Sequence, residues 1–199
     1  DRELYCTTTA TIHYGRGVAR AATGDVGGAR AEQAAFDEAY ARIPDTRYLF
    51  NNTSRDILAV AAAMLDGEIA YRRGDHDEAF TLLRQAVELD DSLPFDEPWG
   101  WMQPTRHALG ALLLEQGHVD EAARVYAADL GLTDAVSRPC RHPRNLWSLH
   151  GYEECLRRLG RDAEAAIIGQ QLAFAAARAD VPVRASCACR MEAERSCCG

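Results

Sequence analysis

The sequence predicts an all-α fold, a solenoid of about four antiparallel helix hairpins joined by long inter-repeat loops. Three observations support this prediction: turn glycines recur along the chain, an alanine follows each of these glycines by five residues, and apolar residues have helical spacing before and after each turn. The turn glycines are Gly24, Gly74, Gly117 and Gly160, at spacings of 43 to 50 residues, and the alanines are Ala29, Ala79, Ala122 and Ala165. Self-similarity at such a period is typical of stacked helical arrays.

The hairpin around Gly74 shows the pattern most clearly. Apolar or small residues recur at helical spacing before and after the turn: Met64, Gly67, Ala70 and Tyr71, then Ala79, Leu82, Leu83 and Ala86. Gly74 supplies the left-handed conformation that ends the first helix. Because Gly67 and Ala79 are small, the two helices are expected to approach closely where they cross.

The predicted helix pairs are 9–22 with 26–41, 55–72 with 76–89, 105–116 with 119–129, and 146–159 with 162–178. Thr53 or Ser54 is the predicted N-cap of the third helix. Residues 90–104, with three prolines and two tryptophans, are predicted to form an ordered loop, and residues 131–145 a second long loop. The helical-repeat domain is therefore predicted to span 1–182, followed by a flexible cysteine-rich tail at 183–199.

Composition and charge restrict the function classes. The chain is 47% hydrophobic and 26% charged, and its formal net charge of −8 argues against nucleic-acid binding. No apolar run reaches membrane-spanning length and the first residues do not resemble a signal peptide, so a cytoplasmic protein without a membrane partner is expected. The seven cysteines form no regular disulfide framework, and reduced thiols are expected.

The pattern resembles the tetratricopeptide repeat family in the small residue, turn glycine and alanine of each hairpin, for example Gly67, Gly74 and Ala79. The usual period of that family is 34 residues, and here long loops follow the hairpins. The resemblance implies a right-handed solenoid whose first helices line a concave, ligand-binding groove. Several stretches also resemble the C-terminal half of larger bacterial and fungal repeat proteins, which implies that an N-terminal half is missing here.

Residues at positions i, i+4 and i+7 of each first helix form a stripe that would face such a groove. These stripes and the long loops supply the candidate ligand-binding residues. They are Tyr14, Met64, Glu68, Tyr71, Trp99, Trp101, Arg106, His107, Trp147, His150, Glu154 and Arg157. The tryptophans either wall an apolar pocket or seal the loops onto the helices, and the arginines either hold a carboxylate or pair with neighbouring acids. A scaffold that binds a peptide or protein partner follows from the resemblance, and a homodimer is an additional hypothesis.

A metal-dependent enzyme is the alternative function. His107 and His150 occupy equivalent positions on successive inner helices, and helices pack about 8–10 Å apart, so both imidazoles could reach one copper, iron or zinc ion. His13, Glu68 or Glu154 would complete the site, and a transition-metal oxidoreductase is the favoured activity. The competing interpretation makes the histidines ordinary polar groove residues. The tail cysteines (Cys187, Cys189, Cys197 and Cys198), with Cys140 and His142, could bind a soft ion or exchange disulfides.

Overall fold

The computed structural model of the chain describes residues 4–190, and within them the fold is all-helical apart from one pair of two-residue strands. The helices are α1 (Cys6–Ala22), α2 (Val26–Ala41), α3 (Ser54–Arg73), α4 (His76–Ser92), α5 (Thr105–Glu115), α6 (Val119–Asp129), α7 (Leu146–Arg158) and α8 (Asp162–Ala176). Strands β1 (Tyr48–Leu49) and β2 (Asn52–Thr53) pair antiparallel. None of these helices combines the length and the apolar character that crossing a bilayer requires. The prediction of an all-α fold is confirmed.

The predicted helix boundaries and the observed ones differ by at most three residues. The four turn glycines adopt φ values between +68° and +89°, in the left-handed region, where a side chain would be strained. The four alanines that follow the turns are all buried: Ala29, Ala79, Ala122 and Ala165. These local signals therefore placed the turns correctly.

Side-chain caps fix the start of three helices. The Thr53 hydroxyl accepts a 3.0 Å hydrogen bond from the Asp56 backbone N–H, which confirms the first of the two predicted caps of α3. Asp25 caps α2, and Asn145 caps α7 by accepting from Ser148 N–H at 2.8 Å. Each cap satisfies a backbone donor that the first helical turn leaves without a partner.

The chain divides into two compact units, Asp1–Thr105 and Arg106–Gly199, and this division falls inside the predicted 1–182 domain. In the first unit α1 packs on α2, α3 packs on α4, and α1 also contacts α3. Helix α3 is the interior element, with Val60 and Leu65 completely buried. A Cβ atom at Gly67 would lie 2.8 Å from Leu83 Cγ, so the expected close approach of α3 and α4 is present.

In the second unit α6 packs on α7, and α7 packs on α8. The ring of Tyr126, on α6, is fully buried where Gly110 of α5 and Gly151 of α7 leave room for it. Its hydroxyl is hydrogen-bonded to the buried Ser186, in the segment after α8. Glycine at both positions therefore makes space for one aromatic core residue.

The described part of the cysteine-rich tail packs against the second unit. Ser186 and Cys187 are buried, and the Arg190 guanidinium binds the Glu154 carboxylate at 2.7 and 2.8 Å. Cys187 and Cys189 form a disulfide, whereas the sequence favours reduced thiols. Residues 191–199, with Cys197 and Cys198, lie outside the described part of the chain, so the prediction of a flexible tail is untested there.

Candidate functional site

The stripe predicted to face a groove in the first unit is buried. Tyr14, Met64, Glu68 and Tyr71 are each at most 9% exposed. The Glu68 carboxylate accepts a 2.8 Å hydrogen bond from Arg72. Burial, reinforced by the charge of Glu68, raises the pKa of the Tyr14 hydroxyl. These side chains are packed and are not open to a ligand in this structure, so their role in binding stays a prediction.

The two loop tryptophans have different surroundings. The ring of Trp101 packs edge-on against Tyr14, with centroids 5.2 Å apart, and so joins the loop before α5 to α1. This contact fits the interpretation in which a tryptophan seals a loop onto the helices. Trp99, two residues earlier, is 44% exposed. Of these two tryptophans, Trp99 is therefore the one that presents a substantial surface to solvent.

Two loops of the first unit, residues 44–53 and 93–104, are hydrogen-bonded to each other, and we call them the loop pair. The Asp96 carboxylate accepts from Asn51 N–H at 3.1 Å and from the Asn52 side-chain amide at 2.6 Å. The amides of Asn51 and Asn52 also donate to the carbonyls of Phe95 and Pro94, each at 2.9 Å. Asn52 and Asp96 are 1% and 5% exposed, so a buried polar centre holds the two loops together.

Large apolar side chains project from the loop pair into solvent. Their exposed fractions range from 44% to 72%, and the residues are Tyr48, Leu49, Phe50, Phe95, Trp99 and Met102. Phe50 has a φ of +55°, a backbone conformation that is uncommon for a bulky residue. Exposed apolar residues concentrated on two joined loops indicate a contact surface, whereas scattered single ones need no explanation.

In the second unit the predicted ligand His107 belongs to a buried network around Asp129, the last residue of α6. Asp129 is 0% exposed, and its carboxylate lies 3.2 Å from His107 Nε2 and 2.8 Å from His142 Nδ1. The same carboxylate accepts from the Asn145 amide at 2.8 Å and from the Ser148 hydroxyl at 2.6 Å. Four side chains therefore converge on one carboxylate.

The network keeps Asp129 ionised. Burial by itself raises the pKa of Asp129, but hydrogen bonds from His107, His142 and Ser148 outweigh it and hold that pKa well below its usual range. His142 and Asn145 belong to the second long loop, and Ser148 lies in the first turn of α7. The buried carboxylate therefore ties the end of α6 to this loop and to the start of α7.

The remaining predicted site residues are in varied surroundings. His150 Nδ1 is shielded from solvent without a hydrogen-bond partner in the described structure, and Trp147 is 39% exposed. The Glu154 carboxylate binds Arg158 and Arg190, and Arg157 binds Glu153. Arg106 is buried. His13 Nδ1 lies 2.7 Å from the Glu32 carboxylate. The Arg157–Glu153 pair fits the interpretation in which a predicted site arginine neutralises a neighbouring acid.

The structure gives the metal hypothesis no assembled donor set. Among residues 4–190, no three side chains of His, Cys, Asp or Glu are grouped so that they could hold an ion. His107 instead points Nε2 at Asp129, because the turn at Gly117 brings the end of α6 beside the start of α5. A metal role for His107 and His150 stays a prediction.

Sequence reasoning identified Trp99 but overlooked the other exposed apolar residues of the loop pair, and it overlooked the central role of Asp129. The run Tyr48-Leu49-Phe50 was a usable signal, since three consecutive apolar residues inside a connection are unusual where no core element is expected. Asp129 had no such signal, because an acidic residue at the end of an amphipathic helix reads as solvated. Its four partners are 13 to 22 residues away along the chain.

No protein-family model, no curated protein and no solved structure matches the chain significantly. The resemblance to tetratricopeptide repeats therefore depends on the hairpin pattern alone, and function has to be inferred from the residues of this chain.

Proposed function

We propose that this chain is a tetratricopeptide-like helical-repeat binding module, and that the loop pair forms its docking surface for a peptide or protein partner. The observation that carries the proposal is the set of six large apolar side chains exposed on two hydrogen-bonded loops. Aromatic residues and methionine are enriched in the centres of protein interfaces. The stripe residues on α1 and α3 are buried, so the loop pair is the better candidate surface.

The rigidity of the loop pair supports this role. Asp96 receives its hydrogen bonds from Asn51 and Asn52 in a nearly solvent-free position, so the loops are held in one conformation before a partner arrives. Pre-organisation of this kind lowers the entropic cost of association. The exposed Phe50 is held in a left-handed conformation next to this centre. Such conformations persist only where the surroundings impose them, and they concentrate at binding sites.

The test is selection of binders from a randomised peptide library, with the full chain as bait. Peptides selected on the wild type are then measured against a Phe50→Ser/Met102→Ser variant. Truncating central apolar anchors typically costs about 1–4 kcal/mol each, so affinity is expected to fall at least about tenfold. Both substituted side chains are mostly exposed, so the fold is expected to survive, as circular dichroism would verify.

The matched control is Ile167→Ser/Val181→Ser, which removes two comparably exposed apolar residues outside the loop pair. It is expected to leave the affinity unchanged. The proposal is wrong if no peptide is enriched, or if the loop-pair variant binds the selected peptides as well as the wild type does.

A further inference from the structure

A surface groove of about 500 Å³ lies in the second unit, where α8 and the residues just after it face one turn of the second long loop. Its lining residues are Arg144, Gln170, Gln171, Phe174, Ala175 and Arg178. The lining thus combines two cations, two amides and an aromatic ring, and it contains no carboxylate. A groove of this size can enclose several side chains of a ligand.

The two groove arginines lack an acidic partner within the described part of the chain. Neither Arg144 nor Arg178 has a carboxylate oxygen within 4.0 Å there. Other arginines of the same unit do have carboxylate partners: Arg141, Arg157, Arg158, Arg161 and Arg190. In a chain with a net charge of −8, two unneutralised guanidinium groups beside one groove make it selectively attractive to anions.

Arg144 lies in a hydrogen-bonded turn that places it in the lining of the groove. Asn145 N–H donates to His142 C=O at 3.3 Å across a turn that has Pro143 and Arg144 at its centre. Arg144 has a φ of +61°, as the third position of a type II turn requires, and that position normally carries glycine or asparagine. His142 and Asn145 both bind Asp129. Arg144 thus occupies a position where glycine or asparagine would be less strained, and its neighbours hold it there.

The aromatic member of the groove is largely open to solvent. Phe174 is 72% exposed, although it lies on α8, a helix that buries Ala165 and Ile168 on its other side. A ring that lines the same groove as two cations offers an apolar contact in addition to two anion contacts. The ligand that matches this arrangement carries carboxylates and an apolar side chain together.

We propose that this groove binds an acidic peptide segment of a protein partner. Carboxylates of the segment pair with Arg144 and Arg178, its apolar side chain packs on Phe174, and the amides of Gln170 and Gln171 bond to its backbone. Arginine suits this task because its planar guanidinium grips a carboxylate with two parallel N–H donors. The site does not depend on the loop pair, so either proposal can fail without the other.

Fluorescence anisotropy with the full chain tests the proposal. The probe is a labelled, C-terminally amidated hexapeptide of sequence Asp-Glu-Leu-Phe-Glu-Glu, and the control peptide has each acid replaced by its amide. The acidic probe is expected to bind at least about tenfold more tightly than its amide counterpart, and its affinity is expected to fall as salt rises. Equal affinity for the two peptides would overturn the proposal.

Substitutions locate the binding. Arg144→Gln/Arg178→Gln is expected to weaken the acidic probe at least about tenfold, and Phe174→Ala about threefold to tenfold. Arg124→Gln/Arg138→Gln is the matched control, because it removes the same two charges from exposed positions of the second unit outside the groove lining. Its expected effect is less than about twofold. An equal loss in the control would show a general charge effect and contradict a specific site.

Arg144→Gly separates binding from folding. Glycine relieves the left-handed strain, so the melting temperature is expected to stay the same or rise, while the affinity for the acidic probe is expected to fall because the guanidinium is lost. A lower melting temperature would show that Arg144 supports the fold, and unchanged affinity would show that it does not bind the peptide. Either result would contradict the proposal that Arg144 serves to bind the acidic peptide.

Discussion

Asp129 and His142 are joined twice. The His142 backbone N–H donates to the Asp129 carbonyl at 2.6 Å, and His142 Nδ1 lies 2.8 Å from the Asp129 carboxylate. The end of α6 and the middle of the second long loop are therefore held together by both backbone and side chain. The turn that displays Arg144 follows directly after this connection.

Asp129→Ala is expected to destabilise the protein by about 3–5 kcal/mol, because it removes the shared acceptor of four side chains and leaves two of them, His107 and Ser148, buried without it. Urea denaturation would measure the loss. The matched control is Asp134→Ala, which breaks a surface ion pair with Arg141 at a fully exposed carboxylate and should cost far less. Similar losses in both variants would show that the network contributes no more than a surface pair.

Acid is expected to weaken the fold through the same carboxylate. The pKa of Asp129 is lowered in the folded state, so its contribution is fully present above the unfolded-state pKa of about 3.9 and is lost as the pH falls below it. The free energy of unfolding should therefore decline from about pH 5 downward. Asp129→Asn should show a shallower decline in that range, as thermal melts between pH 3 and pH 7 would reveal. If the melting temperatures of the wild type and Asp129→Asn fell in parallel as the pH is lowered, Asp129 would not be the source of the acid sensitivity.

Gly110→Ala is expected to destabilise the second unit by about 1–3 kcal/mol, because the added methyl would lie 2.5 Å from Tyr126 Cζ. The ring cannot retreat easily, since it is fully buried and hydrogen-bonded to Ser186. Gly15→Ala in α1 is the comparison, because nothing lies within 4 Å of the added methyl there. That substitution should stabilise by about 0.5–1 kcal/mol. Thermal unfolding of both variants would measure these two changes in stability, which are expected to have opposite signs.

Asp96→Ala is expected to separate the two loops of the loop pair, because it removes the acceptor shared by Asn51 and Asn52. Limited proteolysis should then cut within residues 44–53 several-fold faster than in the wild type. Asp45→Ala is the control in the same loop, since its carboxylate is almost fully exposed and pairs only with Arg55 among the residues described. Equal cleavage of both variants would show that Asp96 does not hold the loops.

Cys155 is expected to resist alkylation in the folded protein. Its side chain is fully buried in α7, and burial, together with the charge of Glu154, raises the pKa of its thiol to about 12. Iodoacetamide at pH 8 should therefore modify it only after unfolding in urea, as peptide mass spectrometry would show. Rapid modification of Cys155 in the folded chain would contradict the burial of its thiol.

The helices and turns were predictable from the sequence because their signals are local. A glycine with positive φ, such as Gly74, and a capping residue, such as Thr53, act within one turn of chain. The long loops were not predictable in the same way. Helical periodicity carries no information about residues 44–53, and the hydrogen bonds that join this loop to the second loop of the pair span more than forty positions.

The candidate sites were predicted only in part. His107 was selected for its place on a helical stripe, and it does lie in a dense polar network, but its partner is Asp129 rather than His150. Helical spacing identifies which residues share a face of a helix. Whether that face is open, as Met64 was expected to be, depends on what packs against it, and Met64 is buried.

The sequence by itself determined the all-α class, the helix boundaries and the glycine turns, since these depend on backbone preferences within a few residues. Only the tertiary structure decided that Asp129 gathers two histidines, that Asn52 and Asp96 join two loops, and that Arg144 and Arg178 line one groove. The physical reason is that burial, pKa and exposure are set by atoms brought together from distant parts of the chain.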